Sequence, residues 1–182
     1  AKLLTTLLSE DLSTVRILLS APLAKEVALR DWDTRNVEFY ESENCFDFFG
    51  IWEEIMSLKN CCVELPNGGS MIIEQTSALI SVDINSGSDL SSAGALNGNI
   101  FAVRDLPRQL RLRGLGGKIV IDFAPLKKTD RVLIERELRS RLADDSIKTL
   151  FVGWTNLGNL ELERKRQRRP LIARFSQSGE FI

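Results

Sequence analysis

The 182-residue sequence predicts an α+β domain with a mixed β-sheet flanked by helices. Hydrophobic residues make up 43% of the chain, which is enough to bury a core in one domain or a domain and a half. Segments with the two-residue alternation of strands are interleaved with segments of helical spacing, and no internal repeat or long linker divides them. This order of elements is typical of an α+β fold.

The first sixty residues predict short strands and helices. "STVRILLS" (13–20) predicts a buried strand, and "NVEFYES" (36–42) alternates like a second one. Between them, Pro22 at a helix start and helically spaced apolar residues predict a helix over 22–32. A further helix is predicted over about 46–58 from one apolar stripe, which we assign to the core. The stripe consists of Phe48, Ile51, Trp52, Ile55 and Met56.

A hairpin and a strand are predicted next. "CCVEL", "PNGG" and "SMIIEQT" (61–76) form a hairpin pattern, because Asn-Gly-Gly supplies the positive φ angles of a tight turn. "ALISVDINSG" (78–87) predicts a strand with an aspartate, Asp83, in its middle and an Asn-Ser-Gly turn after it. The glycine- and serine-rich stretch 85–99 predicts a mobile loop beside Asp83, a position where loops often carry binding function.

The second half alternates between helices and strands. "AVRDLPRQLRLRGLGG" (102–117) predicts a helix that is interrupted or started at Pro107 and ended by its glycines. "KIVIDF" (118–123) predicts a strand, a charged amphipathic helix is predicted over about 128–143, and "KTLFVGWT" (148–155) is strand-like.

The composition excludes several kinds of chemistry. Histidine is absent, which removes Ser-His and Cys-His catalysis and the usual zinc ligands. Cys45 and the adjacent pair Cys61 and Cys62 fit neither a disulfide framework nor zinc-knuckle spacing, so we expect simple thiols. No apolar run approaches the roughly 20 residues of a membrane span, and we expect a soluble, cytoplasmic protein. Any chemistry must therefore come from carboxylates, Lys, Arg or a hard metal ion.

The charges are divided along the sequence. Residues 1–103 hold 6 Lys+Arg and 15 Asp+Glu, a net charge of -9, whereas residues 104–174 hold 18 and 9, a net charge of +9. A basic half in an otherwise neutral chain indicates a polyanionic partner on one surface, although a basic stretch is often only a solvated face.

Two aspartates are the candidate metal ligands. Asp83 and Asp122 each lie on a strand rich in Val and Ile, and the segment between them is long enough for a crossover helix. If the strands are neighbours, two repelling carboxylates share one face, and a shared proton or a bound cation would relieve the repulsion. Oxygen-only ligands select Mg²⁺ or Mn²⁺ as that cation. Asn85, one strand period after Asp83, points the same way and could orient a metal water or a phosphate. The alternative is that each Asp makes only a capping or turn hydrogen bond.

Two groups of basic residues are candidate phosphate contacts. Arg108, Arg111 and Arg113 fall on the helix between the acidic strands, so we expect their guanidinium groups near the metal, unless they pair with the acidic half instead. A denser cluster follows the alternating Leu and Glu residues of 160–163, and it fits an exposed edge strand or a phosphate track equally. The cluster consists of Arg164, Lys165, Arg166, Arg168 and Arg169.

Three blocks, in order, resemble the catalytic region of the ribonuclease E/G family of bacterial endoribonucleases. They are "LPNGGSMIIEQTSALISVDINSG", "RQLRLRGLGGKIVIDF" and "GWTNLGNLELERKRQR", and the similarity runs from about residue 44 to 166. The resemblance implies a deoxyribonuclease-I-like catalytic subdomain over 61–182, preceded by part of a ribonuclease-H-like segment over 1–60.

The resemblance also implies a function and site residues. Asp83 and Asp122 would hold the catalytic magnesium, with Asn85 as their supporting neighbour. Arg108, Arg111, Arg113, Arg164 and Arg166 remain the expected RNA contacts. The implied reaction is hydrolysis of single-stranded RNA by metal-activated water, in RNA processing or decay, leaving a 5′-phosphate and a 3′-hydroxyl.

The departures from the family pattern support an alternative function. The family's OB-fold module, 5′-end sensor and Cys-pair zinc link lie outside these 182 residues, so neither zinc nor a zinc-bridged dimer is predicted, and other homo-oligomers stay open. Ser77, Phe101, Pro107 and Asn156 replace residues usual in the family. The alternative is a non-catalytic or weakly active RNA-binding or interaction domain that keeps the fold. A scaffold without RNA would require the two charged halves to neutralise each other.

Overall fold

The computed structural model describes residues 16–19, 26–27, 29–30, 38–41 and 44–175. The chain divides into two compact units, the first ending at Ser57 and the second beginning at Leu58. The sequence predicted a boundary between residues 60 and 61. The assignment of the two parts as ribonuclease-H-like and deoxyribonuclease-I-like stays a prediction. Each unit is described by itself.

The first unit contains a short parallel strand pair. β1 (Arg16–Leu19) pairs with β2 (Glu38–Glu41), which confirms strands within the predicted ranges 13–20 and 36–42. Residues 26, 27, 29 and 30 are helical, as the prediction for 22–32 requires. The remaining residues of these three ranges lie outside the described part of the chain.

The predicted helix over 46–58 is two helices. α1 (Cys45–Phe48) and α2 (Ile51–Ser57) are separated by Gly50, whose φ of +65° ends a right-handed helix. The assignment of the apolar stripe to the core was also wrong, because Phe48 is 70% exposed and Met56 is 47% exposed. Helical spacing predicted the helical segments but not what covers them.

The second unit is built on a six-stranded sheet. Its strands are β3 (Cys62–Glu64), β4 (Ser70–Gln75), β5 (Ile80–Asn85), β6 (Gly117–Asp122), β7 (Thr149–Trp154) and β8 (Leu160–Arg164). They lie in the order β3-β4-β5-β6-β8-β7, with β5 and β6 parallel and every other pair antiparallel. The α+β class with a mixed sheet is confirmed, as is the hairpin of β3 and β4.

Two helices cover one face of this sheet. They are α3 (Ser92–Leu112) and α4 (Arg131–Ala143), the second preceded by a 3₁₀ turn at Lys128–Asp130, and a last 3₁₀ turn lies at Leu171–Arg174. The core joins alternate strand residues to the apolar stripes of both helices. Its largest buried members include Met71, Val82, Leu106, Leu110, Ile119, Ile121, Ile134, Leu138, Leu160 and Leu162.

α3 is longer than the sequence predicted. The stretch 85–99 is not a continuous loop, because the Ser91 hydroxyl accepts a hydrogen bond from the Gly94 N–H at 3.0 Å and caps a helix that begins at residue 92. Pro107 neither starts nor interrupts this helix; it lies inside it and is buried. Burial of the helix against the sheet offsets the missing backbone donor at Pro107, which costs roughly 3 kcal/mol in a helix interior.

The opposite face of the sheet points to solvent, and we call it the open face. Because strand residues alternate between faces, it carries the residues between the buried ones. Its members include Ser81, Asp83, Asn85, Lys118, Val120, Asp122, Leu150, Glu161 and Glu163, of which Asp83, Asn85, Lys118, Asp122, Leu150 and Glu163 are exposed. Charged groups therefore collect on this side, away from the helices.

A buried ion pair holds the end of β8. Arg164 is 1% exposed, and its Nη2 donates to both carboxylate oxygens of Asp145 at 3.2 and 3.0 Å. Its Nη1 donates to Thr149 Oγ1 at 2.8 Å. Burial lowers the pKa of the Arg164 guanidinium, and the Asp145 carboxylate opposes that shift. β8 is thus an interior strand that ends at Arg164, and the edge strand considered for the basic cluster does not form there.

Among the residues that the structure describes, no helix is both long enough and apolar enough to cross a membrane.

Replacing Asp145 with Asn should destabilise the second unit by about 3–5 kcal/mol, because a buried guanidinium would lose its counter-charge. Urea unfolding followed by circular dichroism measures this loss as a lower midpoint. Asp144→Asn is the matched control, since Asp144 is the exposed neighbour of the same type and its loss should change little. Equal midpoints for the two variants would contradict a stabilising role for the pair.

Candidate metal centre

β5 and β6 bring the two predicted aspartates together. The strands are parallel neighbours, and Asp83 is the register partner of Asp122. Val82, Ile84 and Ile121 are buried on the helix side, so both carboxylates are directed to the open face. Both are exposed, and the pair lies where the two strands end.

Asn85 completes the group on the open face. Its Nδ2 donates a hydrogen bond to Asp83 Oδ2 at 2.8 Å, which fixes the rotamer of that carboxylate. Within residues 44–175, neither Asp83 nor Asp122 forms an ion pair with a Lys or Arg. The described residues therefore supply no ion-pair partner to these two carboxylates, and an external cation would relieve the repulsion between them.

The group fits a hard cation that keeps much of its water. In the described residues there is no cluster of three or more His, Cys, Asp or Glu that could hold a metal by themselves. Two carboxylates with an amide beside them supply only oxygen ligands on the protein side, which suits Mg²⁺ because it retains several waters. Zn²⁺ favours nitrogen and sulfur ligands, and this group offers neither.

The turn between β3 and β4 supports the end of β5. The Leu65 N–H donates to Gly69 O at 2.9 Å and closes the turn, and Asn67 Nδ2 donates to Ser86 O at 3.4 Å. Gly69 lies so close to the Asn85 carbonyl that a side chain at 69 would overlap it. The hairpin predicted from "PNGG" thus abuts the backbone of a candidate site residue.

Asn99 supports the end of β6, and sequence reasoning missed it. Asn99 lies on α3 and is fully buried; its Nδ2 donates to Ala124 O at 3.0 Å and its Oδ1 accepts from Ala124 N at 3.1 Å. Ala124 follows Asp122 by two residues, so this paired hydrogen bond fixes the chain where the carboxylate is presented. The signal was available, because Asn99 lies at helical spacing between Ala95 and Val103 on the apolar stripe.

The arginines of α3 are not brought to the carboxylates. α3 covers the face opposite to the open face, and its last turn leads into Gly117, at the far end of β6 from Asp122. Arg113 is buried and donates through Nη1 to Leu58 O and Asn60 O at 3.0 and 2.7 Å. Burial is the main cause of the lowered pKa of its guanidinium.

The remaining predicted RNA contacts divide in two. Arg108 pairs with Asp105 at 2.7 Å and Arg111 lies 3.7 Å from Asp145, both on the helix side. Arg164 is buried against the same Asp145, so its guanidinium is not presented to solvent. Arg166 is exposed, at the start of β6 rather than beside Asp122. The five arginines predicted as RNA contacts therefore do not gather around Asp83 and Asp122.

The four residues set apart by the resemblance, Ser77, Phe101, Pro107 and Asn156, lie in two turns and on α3. Ser77 and Asn156 are exposed in turns, before β5 and between β7 and β8. Phe101 packs against the core, and Pro107 is buried inside α3. None of these four positions is on the strands that carry Asp83 and Asp122.

The fold and site define a class: an α+β protein with paired carboxylates at the ends of two parallel strands of a mixed sheet. Comparison with known proteins names the family. A family model for the Ribonuclease E/G family matches residues 13–167, which is most of the chain. The chain belongs to the ribonuclease E/G family.

Individual relatives agree with this membership. Ribonuclease G of Escherichia coli (strain K12) is 38% identical over 144 residues, covering 76% of this chain and 29% of the relative. Ribonuclease E of Buchnera aphidicola is 39% identical over 137 residues, covering 71% and 15%. A chloroplastic ribonuclease E/G-like protein of Arabidopsis thaliana is 35% identical over 139 residues, covering 72% and 14%. The chain thus spans less than a third of the length of these relatives.

Replacing Asn99 with Leu should destabilise the second unit by about 2–4 kcal/mol, because the buried N–H and C=O of Ala124 would both lose their partner. The urea midpoint measures the change. Asn97→Leu, two residues earlier on the exposed side of α3, should shift it by less than about 0.5 kcal/mol. A midpoint for Asn99→Leu equal to that of the control would show that the two hydrogen bonds between Asn99 and Ala124 do not stabilise the unit.

Proposed function

We propose that this chain is the catalytic part of a magnesium-dependent endoribonuclease that hydrolyses single-stranded RNA. The observation that carries the proposal is the register of β5 and β6, which sets Asp83 opposite Asp122 on the open face. The names of the relatives, ribonuclease G and ribonuclease E, support RNA as the substrate. Because the chain spans only part of the length of those relatives, their activity is a proposal for this chain.

The residues have distinct parts in the proposed reaction. Asp83 and Asp122 would hold the ion, and Asn85 keeps the Asp83 carboxylate in place through its 2.8 Å hydrogen bond. When bound, Mg²⁺ supplies charge stabilisation at a phosphate oxygen and lowers the pKa of water so that it can attack. The open face leaves the carboxylates accessible to an extended strand, since both side chains are exposed.

The proposed setting is RNA processing or decay in the cytoplasm. Mn²⁺ is an acceptable substitute because it prefers the same oxygen ligands. Assembly into a homo-oligomer without a zinc link is part of the same proposal, and size-exclusion chromatography with light scattering tests it.

A second candidate function is RNA binding without turnover. It is favoured by the small number of ligands, since only two carboxylates meet in the described part of the chain. This candidate requires salt-sensitive RNA binding and no metal-dependent cleavage.

Asp83→Asn and Asp122→Asn should each abolish magnesium-dependent cleavage of a fluorescent single-stranded RNA while leaving the circular dichroism spectrum unchanged, because each removes a metal charge partner from an exposed position. Glu74→Gln is the matched control: it makes the same chemical change at an exposed position of β4 and should cut normally. Cleavage at the normal rate by either Asp variant would rule out this metal centre. If the wild-type chain binds the RNA but does not cut it in magnesium, the second candidate function is favoured.

Magnesium should raise the thermal midpoint of the wild-type chain and leave that of the Asp83→Asn, Asp122→Asn double variant unchanged, because a ligand that binds only the native state stabilises it. Differential scanning fluorimetry over a magnesium titration measures the effect, with EDTA as the baseline. An identical rise in the double variant would assign the effect to another ion site.

A further inference from the structure

A basic cavity of about 560 Å³ opens at the end of the sheet remote from the carboxylates. It lies at the start of β6, the start of β7 and the end of β8. Its principal lining side chains are Lys118, Lys148, Leu150, Glu163, Lys165 and Arg166. We call it the lysine pocket.

Three separate chain segments supply the cations of the lysine pocket. Lys118 comes from β6, Lys148 immediately precedes β7, and Lys165 immediately follows β8. The Lys165 N–H donates to Lys148 O at 3.1 Å, so these two residues are neighbours through the backbone. Lys118 is the register partner of Glu163 in the adjoining strand. The pocket is therefore a product of strand order and not of one basic run.

Arg166 is held at the edge of the pocket. Its Nε donates to Gly116 O at 3.1 Å. Gly117 has a φ of +113°, and a side chain there would overlap the Arg166 guanidinium. The absence of a Cβ at 117 lets the guanidinium rest on the backbone, which limits its freedom before any ligand binds.

The positive charges of the pocket outnumber the negative ones among its described lining residues. Lys118, Lys148, Lys165 and Arg166 are all exposed, whereas Glu163 is the one carboxylate in this described lining. Within the described part of the chain, none of these four cations forms an ion pair. Arg164, which also lines the pocket, forms an ion pair with Asp145 that balances its charge. Lysines arranged in this way attract phosphate as point charges and do not select a base.

The pocket and the carboxylate pair share one face of the sheet. Lys118 and Asp122 lie on β6 with Val120 between them, and all three alternate with the buried Ile119 and Ile121. Four strand residues correspond to about 13 Å. A few nucleotides of an extended strand span that distance, so one RNA chain can reach both places along the open face.

We propose that the lysine pocket binds the backbone phosphates of single-stranded RNA, a few nucleotides from the phosphate that lies at Asp83 and Asp122. This placement rests on the proposed function, because it treats the carboxylate pair as the site of cleavage. The alignment along one strand favours RNA over an acidic protein, which would have no reason to continue toward a carboxylate pair. In this proposal the pocket raises the affinity for RNA and sets which phosphate of the RNA lies at Asp83 and Asp122.

The test compares Lys118→Gln, Lys148→Gln and their double variant with Arg136→Gln in the full chain. Each single variant removes one positive charge, and Arg136 is exposed on α4, on the helix side of the sheet. Binding of a fluorescent oligouridylate is measured by anisotropy in EDTA over a range of salt concentrations. The double variant should weaken binding about fivefold to tenfold and reduce the salt slope by roughly 1.4, at about 0.7 for each lost phosphate contact. Arg136→Gln should bind like the wild type.

The outcomes separate this inference from the proposed function. Pocket variants that bind RNA as tightly as Arg136→Gln would overturn the inference, whether or not the chain cuts RNA. Loss of polyglutamate binding with RNA binding unchanged would also overturn it, in favour of an acidic protein partner. If the wild type does not cut but the pocket variants bind RNA weakly in EDTA, the proposed catalysis fails and phosphate binding by the pocket stands.

Cleavage kinetics test the position of the pocket. With magnesium, the double variant should raise KM for a long RNA and leave kcat unchanged, because the contact is remote from the reacting phosphate. An RNA too short to reach the pocket should be cut equally by the wild type and the double variant. A fall in kcat for both substrates would contradict a remote phosphate contact.

Discussion

The parallel pairing of β5 with β6 is the constraint on which the site depends. Parallel neighbours need a long crossover, and α3 supplies it while burying the helix side of both strands. Burial of that side leaves the alternate residues, Asp83 and Asp122 among them, directed to the open face. Asn99 then ties the crossover helix to the residue two places after Asp122, so the helix also fixes the end of β6.

The fold uses its positive charges in two ways. Arg113 and Arg164 are buried and donate hydrogen bonds to backbone carbonyls, to Thr149 or to Asp145, so they stabilise loops and strand ends. Lys118 and Lys148 stay exposed on the side of the sheet that carries the carboxylates. The basic half of the sequence is therefore partly structural, and its net charge overstates what a polyanion could contact.

Most elements were predictable because their signals are local. The alternation of β4 to β6 and the turn residues of the first hairpin predicted strands close to the observed bounds. The errors arose where burial overrides local preference: glycines at 94 and 98 indicated a loop, yet they lie buried in α3 where its backbone passes close to its neighbours. Pro107 also lies inside α3, because burial of this helix against the sheet outweighs the local cost of a proline.

The sequence alone determined the chemistry available at the site. Without histidine, and with Asp83 and Asp122 each between apolar strand residues, it limited the candidate ligands on these two strands to carboxylate and amide oxygens. Only the tertiary structure decided that the two are register partners, that Arg164 is buried, and that Lys118 and Lys148 meet. The physical reason is that strand order and register come from long-range burial of both helices against the sheet, which no local period records.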